Sequence, residues 1–156
     1  MLGAFWGNFR ALLTHPTFWA TAVAWLTADA LKVLLLYLKN GVVHWKRFFG
    51  TGGMPSSHTA FISGFTASVG LSEGFTSAIF GMALGVAILT SVDACGLRRS
   101  AGLQAEVLNK IVAELYRGKK AKPPKLRDTL GHSVAEVVVG AVIGTLVVLL
   151  IYPKHP

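Results

Sequence analysis

The sequence predicts an all-α integral membrane protein in a single domain. The expected architecture is a helical bundle with about four membrane segments plus a basic amphipathic interfacial helix. Three observations carry this. The chain of 156 residues is 53% hydrophobic and only 14% charged, against about 25% charged in soluble domains, and its mean hydropathy is +0.55. Apolar runs of bilayer length recur between short polar segments. The basic residues behind the net charge of +8 gather in those polar segments, which suits the cytoplasmic side of a bilayer better than nucleic acid. One cysteine, Cys95, excludes an internal disulfide and gives no metal cluster. Near Arg10 there is no basic stretch, short apolar core and small-residue cleavage site in sequence, so the first apolar run is expected to stay in the mature protein.

Residues 1–15 mix Phe5, Trp6, Phe9, Leu12 and Leu13 with Asn8 and Arg10, the pattern of a short interfacial helix. Pro16 follows, at a position where a first-turn proline is tolerated. Residues 17–38 give a first membrane segment of 22 residues, enough for a hydrocarbon core of roughly 30 Å. It carries Asp29 and Lys32, three apart and so on one helical face. Residues 39–57 form a polar loop ending in a Gly-Gly-Met-Pro turn. Residues 58–72 are apolar but short, and either span or re-enter. Residues 74–93 form a third segment closed by Asp93, and residues 132–152 a fourth with Glu136 near its start. Between these two lies 94–131. There Leu97, Ala101, Ala105, Leu108, Ile111, Val112 and Leu115 recur at helical spacing among charged neighbours, predicting an amphipathic helix at the membrane surface. RGKKAKPPK then breaks it. Gly-x-x-x-Gly patterns at 81–85 and 140–144 predict helix contacts.

Charge sets the orientation. Loop 39–57 holds three Lys/Arg and region 94–131 holds nine, so 12 of the 15 fall there. Placing both on the cytoplasmic side gives four crossings with both termini outside. His58, Asp93, Arg98, Arg99, Arg127, His132 and Glu136 fall at those same ends. Lys32 lies roughly two turns inside the first segment.

Four clusters carry chemistry. In TGGMPSSHTAFISG, Gly52 and Gly53 allow close backbone approach to an anion, Pro55 fixes the turn, and Ser56 or Ser57 can cap the helix that follows. The stretch reads as an oxyanion cradle with His58 one step further in. The plainer reading is a capped helix start with an incidental histidine. The Gly-Lys-Ser/Thr of a nucleotide P-loop is lacking. In GHSVAE, His132 and Glu136 are four apart and share a helix face, so the carboxylate can hold the imidazole's tautomer as a nucleophilic or general-base histidine needs. A surface His–Glu pair is the alternative, but the apolar run after Glu136 makes a lone carboxylate costly. In VDACGLRRSAG, Asp93 precedes Arg98 and Arg99, whose forks suit phosphate oxygens as well as lipid headgroups. Lys32 is a further cation, either for phosphate or in an ion pair with Asp29. Cys95 reads as a packing residue, and His15, His44 and His155 have no evident partners in the sequence. Two histidines, a carboxylate, cations and an anion loop together suit phosphoryl transfer from a phosphate ester at the membrane surface, with no cofactor and no metal.

GGMPSSHTA, VDACGLRRSAGLQAEVLNK and GHSVAEVVVG resemble the divergent branch of the type 2 phosphatidic acid phosphatase superfamily, which is related to acid phosphatases and vanadium-dependent haloperoxidases. The similarity runs from about Asp29 to about Gly144. It implies an all-helical membrane phosphatase with a phosphohistidine intermediate. In the superfamily a Pro-Ser-Gly-His block supplies the general acid. PSSH matches it with Ser57 in place of the glycine, so His58 is the implied acid and Ser56 a phosphate contact. His132 is the implied nucleophile, and Glu136 stands where the superfamily has aspartate. Lys39 and Lys46 keep the spacing of the superfamily's first block, but no Arg-Pro follows. Lys32 looks more like the divergent branch's own lysine. Arg127 stands five residues before His132 without the superfamily's serine, and Arg98 and Arg99 are the candidate replacement cations. The chain has fewer segments than the usual six-helix core, and a homodimer could complete the site.

The expected activity is hydrolysis of a lipid phosphomonoester, phosphatidylglycerophosphate-like or phosphatidate-like, in the bacterial cytoplasmic (inner) membrane with the site facing the cytoplasm. Undecaprenyl pyrophosphate is an alternative substrate. A non-catalytic anionic-lipid-binding scaffold and a small transporter using Lys32 and Asp29 are alternatives of other classes. A vanadate-dependent peroxidase has no support in these residues.

Overall fold

Local punctuation sets where each helix begins and ends. The computed structural model describes residues 2–42, 53–117, 123–126, 128 and 130–153. These form α1 (Leu2–Thr14), α2 (Pro16–Asn40), α3 (Ser57–Glu73), α4 (Ala78–Cys95), α5 (Leu97–Leu115) and α6 (Val134–Ile151), with no strand among the described residues.

His15 caps α2 by accepting the Thr17 N–H on Nδ1, and Pro16 opens the helix, where a missing N–H costs nothing. The Trp19 indole donates to Leu13 O at 2.7 Å and ties α1 to α2. Gly41, at φ 67°, closes α2 in the left-handed region. Ser56, not Ser57, caps α3.

Two expected boundaries shift for capping reasons. The third segment begins at Ala78 rather than 74, because Gly74 ends α3 and Ser77 caps α4 through the Phe80 N–H. Composition alone cannot see that break, since Phe75 is apolar. The fourth begins at Val134 rather than 132. Ser133 and Glu136 form a capping box that leaves His132 outside the helix. In the 94–131 region the helix α5 covers Leu97–Leu115.

Pro16–Asn40, Ala78–Leu115 and Val134–Ile151 are long and apolar enough to cross a membrane. The chain is thus an all-helical membrane bundle. Shorter α3, of 17 residues, sits at its centre, packed on α2, α4 and α6. Its faces divide by helical spacing. Ser57, Gly64 and Ser68 meet Lys32, Ala24 and Thr21 of α2. Thr66 donates to Ala83 O of α4. Ser56 and Ala60 lie against Gly140 and Gly144 of α6, where a Cβ on either glycine would strike their carbonyl oxygens. The 140–144 Gly-x-x-x-Gly pair therefore makes the helix contact expected of it. The 81–85 pair does not. Gly81 and Gly85 are exposed, with nothing within 4 Å of a Cβ at either, because α4 presents Ala83 and Ala87 inward instead. Small residues thus fill the interior, while Met82, Ile88, Leu89, Leu146 and Leu150 point outward, as expected where lipid is the solvent.

Candidate active site

Two helix starts bring the chemistry to one end of the bundle. At the first, Gly53 takes φ 91°, a conformation open to glycine. The chain then passes the buried Pro55 into α3. Ser56 is wholly buried, and its Oγ accepts from Thr59 N (3.3 Å) and Thr59 Oγ1 (3.0 Å). Its N–H donates to Glu136 O at 3.1 Å, so the cap of α3 is bolted to the first turn of α6.

Ser57 faces α2. Lys32 Nζ donates to Ser57 Oγ at 2.5 Å and to Asp29 Oδ1 at 2.9 Å. Lys32 and Asp29 are each 1% exposed. A buried ammonium needs such partners. Here Lys32 ties the first residue of α3 to α2, and its ion pair with Asp29 is the alternative the sequence leaves open.

The second helix start is delivered by the chain's return from α5. The Asn109 side chain mimics a backbone unit: its Nδ2 donates to Leu126 O (2.9 Å) and its Oδ1 accepts from Leu126 N (2.8 Å). Gly102 lets Leu130 O approach the α5 backbone closely at 2.6 Å from a Cβ position, and Gly131, at φ 81°, lies against the backbone of Arg99. The His132 N–H then donates to Ala94 O of α4 at 2.9 Å.

His132 is 6% exposed, and its Nδ1 lies 3.1 Å from Glu136 Oε2. The same carboxylate oxygen accepts the Ser133 N–H at 3.0 Å. The pair meets as expected, but through the capping box rather than along one helical face. With Nδ1 turned to the carboxylate, Nε2 is the nitrogen left for chemistry.

Exposed His58 faces this group, its ring centroid 6.4 Å from that of His132 and tilted by 54°. A cavity of about 60 Å³ separates the elements, lined by His58, Thr90, Ala94, Arg98, Gly131 and His132 among others. Arg98 Nε donates to Asp93 Oδ2 at 2.6 Å, so Asp93 meets the cavity only through its ion pair with Arg98. Arg99 is exposed and contributes backbone under Gly131 rather than lining this cavity. Gly52 and Arg127 lie outside the described residues.

The sequence reading did not single out Asn109, Gly102, Thr90 or Ala94 as site residues. Asn109 stands in a run of charged surface positions and carries no signal of its own. Gly102, by contrast, interrupts a helical pattern, and such a glycine marks close backbone approach.

The sequence profile described as the Divergent PAP2 family matches residues 13–147. The chain is also similar to the uncharacterized membrane protein YuiD of Bacillus subtilis (strain 168), at 34% identity over 151 residues, covering 90% of this chain and 96% of that one. No solved structure matches it. A profile match over most of the chain, a relative aligned nearly end to end, and a helical membrane bundle carrying the paired histidines together show that this chain belongs to the Divergent PAP2 family.

Proposed function

We propose that the protein is a membrane-embedded phosphatase acting on a lipid phosphomonoester through a phosphohistidine. The observation that carries this reading is the facing pair of imidazoles, His132 bound to a carboxylate and His58 not, across a cavity that Arg98 also lines. His132 Nε2 attacks phosphorus as the bond to the lipid oxygen breaks, and His58, as imidazolium, gives that oxygen its proton. Glu136 offsets the positive charge that develops on His132. Water oxygen then attacks phosphorus with His58 taking its proton, and the phosphorus–nitrogen bond breaks back to His132 Nε2, releasing phosphate and restoring both histidines. Arg98 and the N-terminal N–H groups of α3 are the groups suited to the equatorial oxygens. The substrate headgroup is phosphatidylglycerophosphate-like or phosphatidate-like, and the site faces the cytoplasm of the inner membrane, a reading supported by the 12 of 15 Lys/Arg that fall in segments 39–57 and 94–131 of the sequence.

The test is phosphate release from a panel of lipid phosphates in detergent by wild type, His58→Ala and His132→Ala. Loss in both variants, with an acid-labile phosphoenzyme in wild type and none in His132→Ala, is expected. A folded, monodisperse wild type that releases no phosphate from any member overturns the reading.

One observation favours a second reading, a non-catalytic anionic-lipid-binding scaffold. Lys32 is committed to Asp29 and Ser57, and Arg98 to Asp93, so both cations already have partners. That reading expects His132→Ala to leave lipid binding and cell function unchanged.

A further inference from the structure

Three faces of α3 are packed, and the fourth is exposed at His58, Phe61, Phe65 and Ser72, with Val69 buried between them. His58, Phe61, Phe65, Val69 and Ser72 succeed one another at intervals of three, four, four and three, which places them along one side of the helix. α2 and α4 flank this side without packing on each other, and α6 lies behind. The result is a groove of about 620 Å³, lined on α3 by Phe61, Phe65 and Val69, on α2 by Phe18, Ala22 and Trp25, and predominantly apolar. That volume is in the range of small-molecule sites.

Its two ends differ. The upper end begins at Phe61, one turn below His58. The lower end adds the polar groups of His15, Thr17, Ser72 and Glu73 beside the apolar Leu12, Phe18 and Ile79. From Phe61 to Ser72 the groove runs about 17 Å along α3 at the rise of an α-helix. One leaflet of a bilayer core is about 15 Å deep.

We propose that this groove seats a single acyl chain of the lipid whose phosphate lies at His58, and that Ser72 and the elbow between α1 and α2 set the longest chain it accepts. The proposal deepens the phosphatase reading and rests on it for the identity of the headgroup. Continuity supplies the argument for the occupant. The same side of one helix carries an imidazole at the headgroup level, an apolar trough one leaflet long, and the first polar groups, Ser72 and Glu73, where that trough ends. The outer faces of α4 and α6 are apolar too, but around Gly81 and Gly85 the α4 surface has nothing within 4 Å to form a wall.

The test uses full-length protein in lipid nanodiscs and single-chain phosphonates, which bind without being hydrolysed. One carries a diazirine at the chain end and one near the headgroup. The expected chain-end cross-links fall on Leu12 and on Val69 to Ser72, and the headgroup-proximal ones near Phe61. Ala22→Trp, which fills the trough from its α2 wall, should lower cross-linking at least tenfold. Gly81→Trp, which adds the same side chain to the open face of α4, should not. Ser72→Trp should leave short chains bound and exclude long ones, a readout that a misfolded variant cannot give. Chain-end cross-links spread evenly over the outer faces of α4 and α6, or equal labelling of Ala22→Trp and Gly81→Trp, would overturn the proposal. Groove labelling without phosphate release from the matching esters would remove the phosphatase reading and leave the groove. Phosphate release with spread labelling would do the reverse.

Discussion

Glu136 serves two structures with one carboxylate. It completes the cap of α6 through the Ser133 N–H and holds Nδ1 of His132. The two roles separate by mutation. Ser133→Ala should cost about 0.5–2 kcal/mol of stability and leave turnover near wild type. Glu136→Gln keeps a capping residue but loses the negative charge, so phosphate release should fall on the order of 10²-fold or more with little change in melting. Melting in detergent beside phosphate release reads both, and a parallel loss in the two variants would assign Glu136 to structure alone. Lys32 belongs to the same scale. Lys32→Met strands the buried Asp29 and should cost about 3–5 kcal/mol, as for other buried pairs broken on one side. Adding Asp29→Asn should restore most of it, since no charge is then left unpaired. A double variant that melts no higher than Lys32→Met would remove the charge-pair explanation.

Among the helices, the seam between α3 and α6 and the return from α5 carry the site. At the seam, glycine is a steric requirement rather than a conformational one. Gly144→Leu would drive a side chain into Ala60 O, and the protein should lose its monodisperse peak in size-exclusion chromatography. Gly85→Leu points into open space and should elute as wild type. The reverse pattern would mean that the helices pack on other faces. The return segment is held by side-chain chemistry instead. Asn109→Ala removes both hydrogen bonds to Leu126, so hydrogen exchange at the Leu126 amide should rise, and turnover should fall while amides within α2 and α3 keep their protection. Unchanged turnover with faster exchange would show that the contacts at Gly102, Gly131 and Ala94 suffice to place His132.

At the scale of the whole molecule, α2, α3, α4 and α6 alternate so that His58, His132, Glu136 and Arg98 share one end of the bundle, and the turn at Gly74–Ser77 lies at the other. The topology proposed for the membrane puts the histidine end in the cytoplasm. In a Cys95→Ser background, a cysteine at Lys125 should react with a membrane-impermeant thiol reagent only from the cytoplasmic side, and one at Thr76 only from the opposite side. Inverted labelling would turn the molecule over and move its substrate to the outer leaflet.

Much of this was legible in the chain itself. Composition and run length determined an all-helical membrane protein, because burying apolar segments in lipid leaves few ways to satisfy the backbone. The spacing of His132 and Glu136, and the Gly-Gly-Met-Pro-Ser-Ser-His block, nominated the residues proposed to act. Other features are tertiary, because they depend on what lies across from each residue. Ser56 and Ser57 are adjacent and chemically alike, yet one caps α3 while the other accepts from Lys32. Both Gly-x-x-x-Gly pairs look the same in sequence, yet the one on α6 meets a backbone and the one on α4 meets none. His132 reaches His58 because Asn109, Gly102 and Ala94, remote in sequence, offer hydrogen bonds and close approach at one place. Local pattern governs secondary structure and solvent preference, whereas partnership across helices is decided by three-dimensional packing.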